Sequence, residues 1–225
     1  MKGPFIENIK RVVQCGQRYY QIPEHPDRLF PSVTSILQII NKPAIGAWER
    51  NLIIQSIKDT YIKTRPPNGF ESVEAEKEWL DNMLTQAKSK PTSVKTEAAS
   101  FGTKAHTMID NAIFGDDFEV SDDVAHIKQA FEQWKRDSGI TMERRDTVVW
   151  SKKYGYAGAI DAVGRKKDGS LVALDWKTSS FIGNEYALQV SAYAKALEEI
   201  TGERVAEAWV VRFHKTLPFA QHHTN

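Results

Sequence analysis

Two acidic residues and one lysine lie inside apolar stretches that predict neighbouring β-strands. Asp161 lies in the stretch YAGAIDAV, and Asp175 and Lys177 lie in LVALDWK. Residues 166–169, Lys-Lys-Asp-Gly, predict a tight turn between these strands, so the two acids can meet at one end of a sheet. Lys177 follows Asp175 by two residues and therefore lies on the same strand face. Because carboxylates are rarely buried unless they are paired or bind a metal, the hairpin predicts a functional site.

These three side chains favour metal-assisted hydrolysis of a phosphodiester. Two carboxylates suit Mg²⁺ or Mn²⁺, which take oxygen ligands. A lysine beside them can neutralise the charge that develops on a phosphate, or orient a water molecule. The alternative is a surface hairpin that carries Asp-x-Lys by chance. The apolar residues on both strands argue against that alternative.

Four polar residues downstream extend the candidate site. Gln189 and Tyr193 are four residues apart on a predicted helix, so they share one helix face. The alternative is that Tyr193 packs in the core and Gln189 faces solvent. Thr178 and Ser179 can hydrogen-bond a phosphate, although a simple role at the end of a strand suits them equally.

The sequence signals for residues that contact nucleic acid are weaker, taken one by one, than those for the acids and the lysine. Ser32 is the predicted N-cap of a short helix whose first N–H groups suit a phosphate, which makes Ser32 and Thr34 candidates. Lys104 is a candidate for an electrostatic groove, and Tyr156 is a candidate for stacking on a base. Gly158 allows another backbone or a nucleic acid to approach its strand closely. An isolated lysine, however, is most often a solvated surface residue.

Several short motifs occur together in a recognisable order. GAID at 158–161 followed by LDWKTS at 174–179 resembles the PD-(D/E)XK nuclease superfamily. QVSAY at 189–193 is similar to the Q-x-x-x-Y helix of its RecB-type branch, and GTKAH at 102–106 is similar to that branch's upstream G-x-x-x-H helix. This resemblance covers about residues 92–215. Further upstream, PSVTSIL and AWERNL resemble the mitochondrial genome maintenance exonuclease and its phage and bacterial relatives.

The resemblance implies a fold, a metal and a set of ligands. The fold is that of restriction endonucleases, and the cofactor is Mg²⁺ or Mn²⁺. The implied ligands are His106, Asp161, Asp175 and the backbone carbonyl of Trp176. A histidine on a helix would otherwise be interpreted as an ordinary core or surface residue.

The resemblance also implies supporting roles around the metal. Gln189 is expected to orient Lys177 or the substrate phosphate, and Tyr193 is expected to line the site. Related enzymes often carry an acid one strand upstream, which makes Glu143 a candidate for supporting the metal. A solvated surface charge is the alternative for Glu143.

Composition excludes several classes of protein. The single cysteine, Cys15, excludes an internal disulfide, a Cys-ligated iron–sulfur cluster and a multi-Cys zinc site. The formal net charge is +1, from 30 basic and 29 acidic residues, so a nucleic acid must meet a local basic surface. Mean hydropathy is −0.46, and no apolar run approaches the roughly 20 residues of a membrane span. We therefore expect an intracellular protein, cytoplasmic or nucleoid-associated, and a phage-encoded origin is compatible with the resemblance.

Periodicity predicts the elements that position these residues. Residues 9–22 predict a hairpin, and TVVW, YGYAGAIDAV, LVALDW and VAEAWVVRF predict strands. Helices are predicted over 44–63, 71–89, 93–113, 121–137 and 184–200, with Pro91 separating the second from the third. The expected fold is α/β, with a mixed central sheet flanked by helices and a helical N-terminal region. The expected domains are 1–91, which shapes the path of DNA, and 92–225, the nuclease core.

The sequence as a whole predicts a metal-dependent DNA exonuclease. It is expected to act on single-stranded ends in DNA replication, recombination or repair. One alternative is a structure-specific or restriction-type endonuclease. Another is a catalytically inactive module that binds nucleic acid. The sequence leaves open the cutting polarity, the choice between DNA and RNA, the number of metal ions and the oligomeric state.

Overall fold

A mixed five-stranded sheet forms the centre of the structure, a computed structural model that describes residues 5, 8–40, 42–116 and 119–224. Its strands are β4 (Thr141–Ser151), β5 (Tyr156–Arg165), β6 (Leu171–Lys177), β7 (Val205–Phe213) and β8 (Ala220–Thr224), in that spatial order. Strands β6 and β7 are parallel, and the other neighbours are antiparallel. The predicted α/β fold with a mixed sheet, compatible with a restriction-endonuclease-like core, is confirmed.

Helices cover both faces of this sheet. Helix α5 (Asn184–Thr201) is the crossover between the parallel strands β6 and β7. It packs Val190, Tyr193 and Leu197 against Ile160 and Val210 of the sheet. Because both faces are covered, nearly every residue of β6 is buried, which explains the continuous apolar run in its sequence.

Aromatic residues fill the opposite face. Helix α4 (Ala125–Ser138) has the predicted amphipathic pattern and buries Phe131 and Trp134. Both rings pack edge-on against Trp176, with centroids 5.9 and 5.3 Å away. The side chain of Trp176 therefore points to the α4 face. Its neighbours Asp175 and Lys177 point to the α5 face, because strand residues alternate.

A smaller sheet precedes the central one. It contains β1 (Lys10–Gln14), β2 (Gln17–Gln21) and β3 (Leu29–Pro31), all antiparallel. The predicted hairpin is confirmed, and Cys15 and Gly16 form its turn with φ of 50° and 75°, as a tight hairpin turn requires. Short helix α1 (Val33–Ile36) follows, and Ser32 Oγ caps it by accepting from Ser35 N at 3.0 Å.

Two long helices complete the chain, and one corrects a prediction. They are α2 (Pro43–Thr64) and α3 (Val73–Phe114). Helix α3 runs through Pro91, so the prediction of separate helices over 71–89 and 93–113 was wrong. A proline removes one hydrogen bond and leaves those on either side. Pro91 is buried, one turn beyond Ala87 and two beyond Met83, both also buried, so apolar burial compensates for the missing bond.

The chain divides into two compact units, Met1–Ile40 with Gly102–Asn225, and Asn41–Phe101. Within the second unit, Trp79 packs near Tyr61 and Phe70 and donates its indole N–H to Thr64 Oγ1 at 3.1 Å. The limits of these units differ from the predicted division at residue 91. The difference arises because the small sheet packs into the strand-rich unit, where Tyr20 and Phe30 are buried with Trp150.

Two further features bear on the predictions. Strand β8 was not predicted, since its exposed sequence AQHHT has neither apolar alternation nor β-branched enrichment. Its pairing with the buried strand β7 orders it instead. In the described part of the chain, no helix is both long enough and apolar enough to cross a membrane.

Candidate active site

The register of two strands brings the predicted acids together. Ala162 of β5 pairs with Leu174 of β6, so Asp161 and Asp175 lie one position further along, facing each other across the two strands. Beyond this pair, a side-chain hydrogen bond replaces the backbone hydrogen bonds between the two strands. Asp161 Oδ2 accepts a hydrogen bond from the Trp176 backbone N–H at 2.7 Å. The carboxylate of Asp161 is thereby held against the strand that carries Asp175.

A cleft of about 420 Å³ opens beside these acids. It contains the six residues predicted to form the catalytic and metal site by their side chains: His106, Asp161, Asp175, Lys177, Gln189 and Tyr193. They come from α3, β5, β6 and α5, so the site depends on four elements packing correctly. Thr34, one of the predicted phosphate-contact residues, also lines the cleft.

Asp175 is the most buried charge of the cleft, with 1% of its surface exposed. Its Oδ1 accepts from Gln189 Nε2 at 3.2 Å, and its Oδ2 forms an ion pair with Lys177 Nζ. Asp175 Oδ2 is therefore in direct contact with a positive charge. Burial raises the pKa of Asp175 to about 6, although Lys177 opposes the shift. The site thus holds a buried carboxylate that one lysine and one glutamine contact directly.

The neighbouring acids raise the pKa values of both Lys177 and His106. Burial would lower the pKa of Lys177, but attraction to Asp175 and Asp161 outweighs it, and the pKa is raised. His106 Nδ1 lies 3.4 Å from Asp161 Oδ1. Burial would also lower the pKa of His106, yet the contact with Asp161 raises it. Conversely, His106 and the Trp176 N–H overcome burial and lower the pKa of Asp161.

Gln189 and Tyr193 form one connected support. Gln189 Nε2 donates to Tyr193 Oη at 2.9 Å as well as to Asp175. The ring of Tyr193 is buried, and burial raises the pKa of its hydroxyl. The ring lies over Gly158: a Cβ built there would be 2.3 Å from Tyr193 Cε1. The close approach expected at Gly158 is therefore made by an aromatic side chain.

Two further acids of the cleft were not predicted. Asp110 lies one helical turn after His106 on α3, and burial raises its pKa to about 6. Its spacing of four from His106 was a usable signal. Asp146 lies on β4 between Arg145 and Thr147, which pair with Ala162 and Ile160. This register places Asp146 beside Asp161.

Asp146, and not Glu143, is therefore the acid that β4 contributes. Glu143 accepts from Arg165 Nε at 2.7 Å and does not line the cleft. Asp146 has a φ of 38°, which is uncommon for a residue other than glycine and costs energy. This conformation interrupts the strand period, so alternation in the sequence could not identify the residue.

Other predicted contact residues lie outside the lining of the cleft. Ser32 is buried as the cap of α1. Lys104 pairs with Asp123 at 2.7 Å. Tyr156 donates its hydroxyl to Ala192 O at 2.8 Å, and burial raises its pKa to about 12. Ser179 Oγ donates to Phe181 O at 2.7 Å. Each of these side chains has a local structural partner.

Thr178 and Trp176 occupy intermediate positions. Thr178 lies beside Gly102, the first residue of the GTKAH segment on α3. A Cβ built on Gly102 would be 3.5 Å from Thr178 Oγ1. The side chain of Trp176 belongs to the aromatic core, and its backbone N–H holds Asp161. The role predicted for its backbone carbonyl stays a prediction.

By ligand type, the donors of the cleft suit a divalent cation. Two carboxylates and an imidazole suit Mn²⁺, and the carboxylates suit Mg²⁺. Asp175 Oδ2 is buried and already carries the charge of Lys177. Within the described ranges, however, no group of three or more His, Cys, Asp or Glu side chains is arranged so that it could hold a metal ion by itself. Mg²⁺ sites commonly use one or two carboxylates and complete the shell with water and substrate phosphate.

Comparison with known proteins gives a partial match. No family model matches the chain. Over 72 residues, 29% of the chain, it is 38% identical to an ATP-dependent helicase/nuclease subunit of Carboxydothermus hydrogenoformans. The matched part is 6% of that protein's length.

We expect Gly158→Ala to destabilise the protein by about 1–3 kcal/mol. The added methyl group would overlap the Tyr193 ring, which cannot move without disturbing Gln189. Urea unfolding measures the effect. Gly102→Ala is the matched control, because its Cβ would make only an ordinary contact on a helix, where alanine is favoured over glycine. Equal unfolding midpoints for Gly158→Ala and the wild type would contradict this account of the site.

Proposed function

We propose that this protein is a metal-dependent deoxyribonuclease that hydrolyses phosphodiester bonds from single-stranded ends. The observation that carries the proposal is the arrangement of Asp161, Asp175 and Lys177 in one cleft. Asp161 is hydrogen-bonded to a backbone N–H of β6, the strand that carries Asp175 and Lys177. The short similarity to a helicase/nuclease protein supports a role in DNA processing. DNA replication, recombination or repair inside the cell is the setting that suits this activity.

A cation in the cleft would be held by Asp161, Asp175 and His106, with the carbonyl of Trp176 as the further ligand that the resemblance implies. Mg²⁺ or Mn²⁺ bound there supplies positive charge for the reacting phosphate and lowers the pKa of a water molecule. The chain itself supplies the arrangement of these donors. The Trp176 N–H orients Asp161, and Gln189 orients Asp175.

Lys177 has a separate task in this proposal. Its ammonium keeps its proton because two carboxylates lie near it. It lies on the cleft face of β6, where its charge can stabilise the negative charge that builds up on a phosphate during hydrolysis. Burial strengthens that interaction, because little water screens a side chain that is 16% exposed.

The second candidate is an endonuclease, and the third is an inactive binding module. The same acids and lysine serve an endonuclease, so the topology of the substrate decides between the first two. An inactive module is disfavoured because the complete set of predicted side chains meets in one cleft. A domain that had lost catalysis would tolerate loss of an acid or of the lysine.

Asp161→Asn or Asp175→Asn should reduce cleavage by about 100-fold or more, because each substitution removes a ligand charge worth several kcal/mol in the transition state. The measurement is single-turnover cleavage of an end-labelled single strand with Mg²⁺ or Mn²⁺, with thermal unfolding to check the fold. Glu143→Gln is the matched control, an acid on β4 outside the cleft. Near-normal cleavage by either aspartate variant would remove the assignment.

Lys177→Ala should retain binding of Mn²⁺ and of DNA but cleave about 100-fold more slowly, since the charge aimed at the phosphate is lost. Calorimetry with Mn²⁺ and single-turnover kinetics separate these two properties. Removing Lys177 leaves Asp175 without its ion-pair partner, so the variant should also unfold more easily. A variant that loses Mn²⁺ binding and keeps its cleavage rate would show that the roles are reversed.

Linear single strands should be degraded, while closed single-stranded circles should survive, because an exonuclease requires an end. Blunt duplex should be cut poorly, since opening its end costs roughly 1.4 kcal/mol per base-pair step. The three substrates are compared side by side by product length. Efficient cutting of circles would favour the endonuclease, and equal cutting of blunt duplex would remove the preference for single strands.

A further inference from the structure

Two arginines of the small N-terminal sheet reach the cleft. Arg11 pairs with Tyr20 and Val13 pairs with Arg18 in the register of β1 and β2. Residues opposite each other, or two apart, share a face, so Arg11 and Arg18 lie on the same face as Tyr20. Both arginines line the cleft that holds Asp161 and Asp175.

The sheet that carries these arginines is firmly attached to the core. Tyr20 is 1% exposed and packs with Trp150 and Ala157. Ser32 forms a bridge to Ala157 of β5, the strand that carries Asp161. A charge placed on this sheet therefore has a defined position relative to the acids.

The two arginines differ in their partners. Arg11 Nη2 lies 3.2 Å from Asp146 Oδ1, so its charge is already engaged. The guanidinium of Arg18 is exposed and has no hydrogen-bond or ion-pair partner among the described residues. Its backbone, in contrast, is fixed: its N–H donates to Ser35 Oγ at 3.0 Å, and its carbonyl accepts from Ser32 N at 2.8 Å. Arg18 combines a rigid backbone with an available head group.

A hydroxyl lies on the same wall of the cleft. Thr34 lines the cleft, and its Oγ1 lies 2.9 Å from Ser32 Oγ. A guanidinium and a hydroxyl together suit a tetrahedral oxyanion, because the planar fork of arginine matches the oxygens of a phosphate. Ser32, two residues before Thr34, donates its backbone N–H to the carbonyl of Arg18. This hydrogen bond ties the segment that carries Thr34 to the strand that carries Arg18.

The acids of the cleft give a reason for a second phosphate contact. Four aspartates of the described chain line the cleft: Asp110, Asp146, Asp161 and Asp175. A nucleic-acid strand carries one negative charge per nucleotide and would be repelled by these carboxylates away from the metal. The exposed guanidinium of Arg18, in the same cleft, offsets that repulsion and helps to set where the strand enters.

We propose that Arg18, with Thr34, binds a phosphate of the substrate strand next to the one that is cut. The assignment rests on the proposed function, because it takes the ligand to be a phosphodiester strand. Arg18 acts by positioning: it places the strand in register with Asp161, Asp175 and Lys177 and does not touch the reacting phosphate.

The test is a set of binding measurements in which one phosphate at a time is made neutral. Single-stranded oligonucleotides, each with one methylphosphonate linkage at a different position, are titrated against the protein by fluorescence anisotropy with EDTA present. The wild type should lose about tenfold in affinity at one linkage, the effect of one charge-assisted contact. Arg18→Ala should bind the unmodified strand about tenfold more weakly and be insensitive to that same linkage.

Two variants and one control make the result specific. Arg18→Lys keeps the charge but loses the fork, so its affinity should lie between those of the wild type and Arg18→Ala. Arg18→Ala should also lower the slope of log affinity against log salt by about one. Arg136→Ala, an exposed arginine on α4 outside the cleft, should behave as the wild type. Thermal unfolding should be unchanged in all three, since both arginines are exposed.

The outcomes separate this proposal from the proposed function. If Arg18→Ala binds as the wild type, or keeps the same methylphosphonate sensitivity, the phosphate contact is overturned. If the wild type binds no oligonucleotide, it is overturned as well. If Arg18→Ala loses binding as described but the wild type cuts no DNA with Mg²⁺ or Mn²⁺, the phosphate contact stands and the nuclease assignment fails.

Discussion

The buried charge of Asp175 is the constraint on which the candidate site depends. A carboxylate that is 1% exposed destabilises a protein unless other groups compensate its charge. Lys177 supplies an opposite charge from the same strand face, and Gln189 supplies a hydrogen bond from the crossover helix α5. The raised pKa of Asp175 indicates that this compensation is incomplete. In the proposed function, a divalent cation completes it.

The supports of Asp175 form a chain of contacts into the core. Gln189 is held by the hydroxyl of Tyr193, and the ring of Tyr193 fits only because residue 158 is glycine. On the other side, the Trp176 N–H holds Asp161 while the Trp176 ring packs among Phe131, Trp134 and Phe213. A single strand thus carries the charged site on one face and an aromatic cluster on the other. Site geometry and core packing are therefore coupled through β6.

The wall contributed by the small sheet has the opposite electrostatic character. Asp110, Asp146, Asp161 and Asp175 share the cleft with Lys177 and His106. Arg11 is paired with Asp146, and Arg18 is available for a ligand. The overall charge of +1 concealed this arrangement, because local placement and not net charge determines where an anionic strand can bind.

The local sequence pattern alone determined much of the fold and part of the candidate site. The apolar runs of β5 and β6, the turn between them and the period of α4 and α5 are read from neighbouring residues, and they predicted the mixed α/β fold. The Asp-x-Lys spacing put Asp175 and Lys177 on one face, and the four-residue spacing did the same for Gln189 and Tyr193. Tertiary structure decided the rest. The continuity of α3 through Pro91 depends on burial, and the place of Asp146 depends on a left-handed φ within a strand. The arrival of Arg11 and Arg18 in the cleft depends on packing between residues more than 100 positions apart, exemplified by Arg11 and Asp146, which are 135 apart. A periodicity within one segment carries no information about such contacts, because they arise only when separate elements pack together.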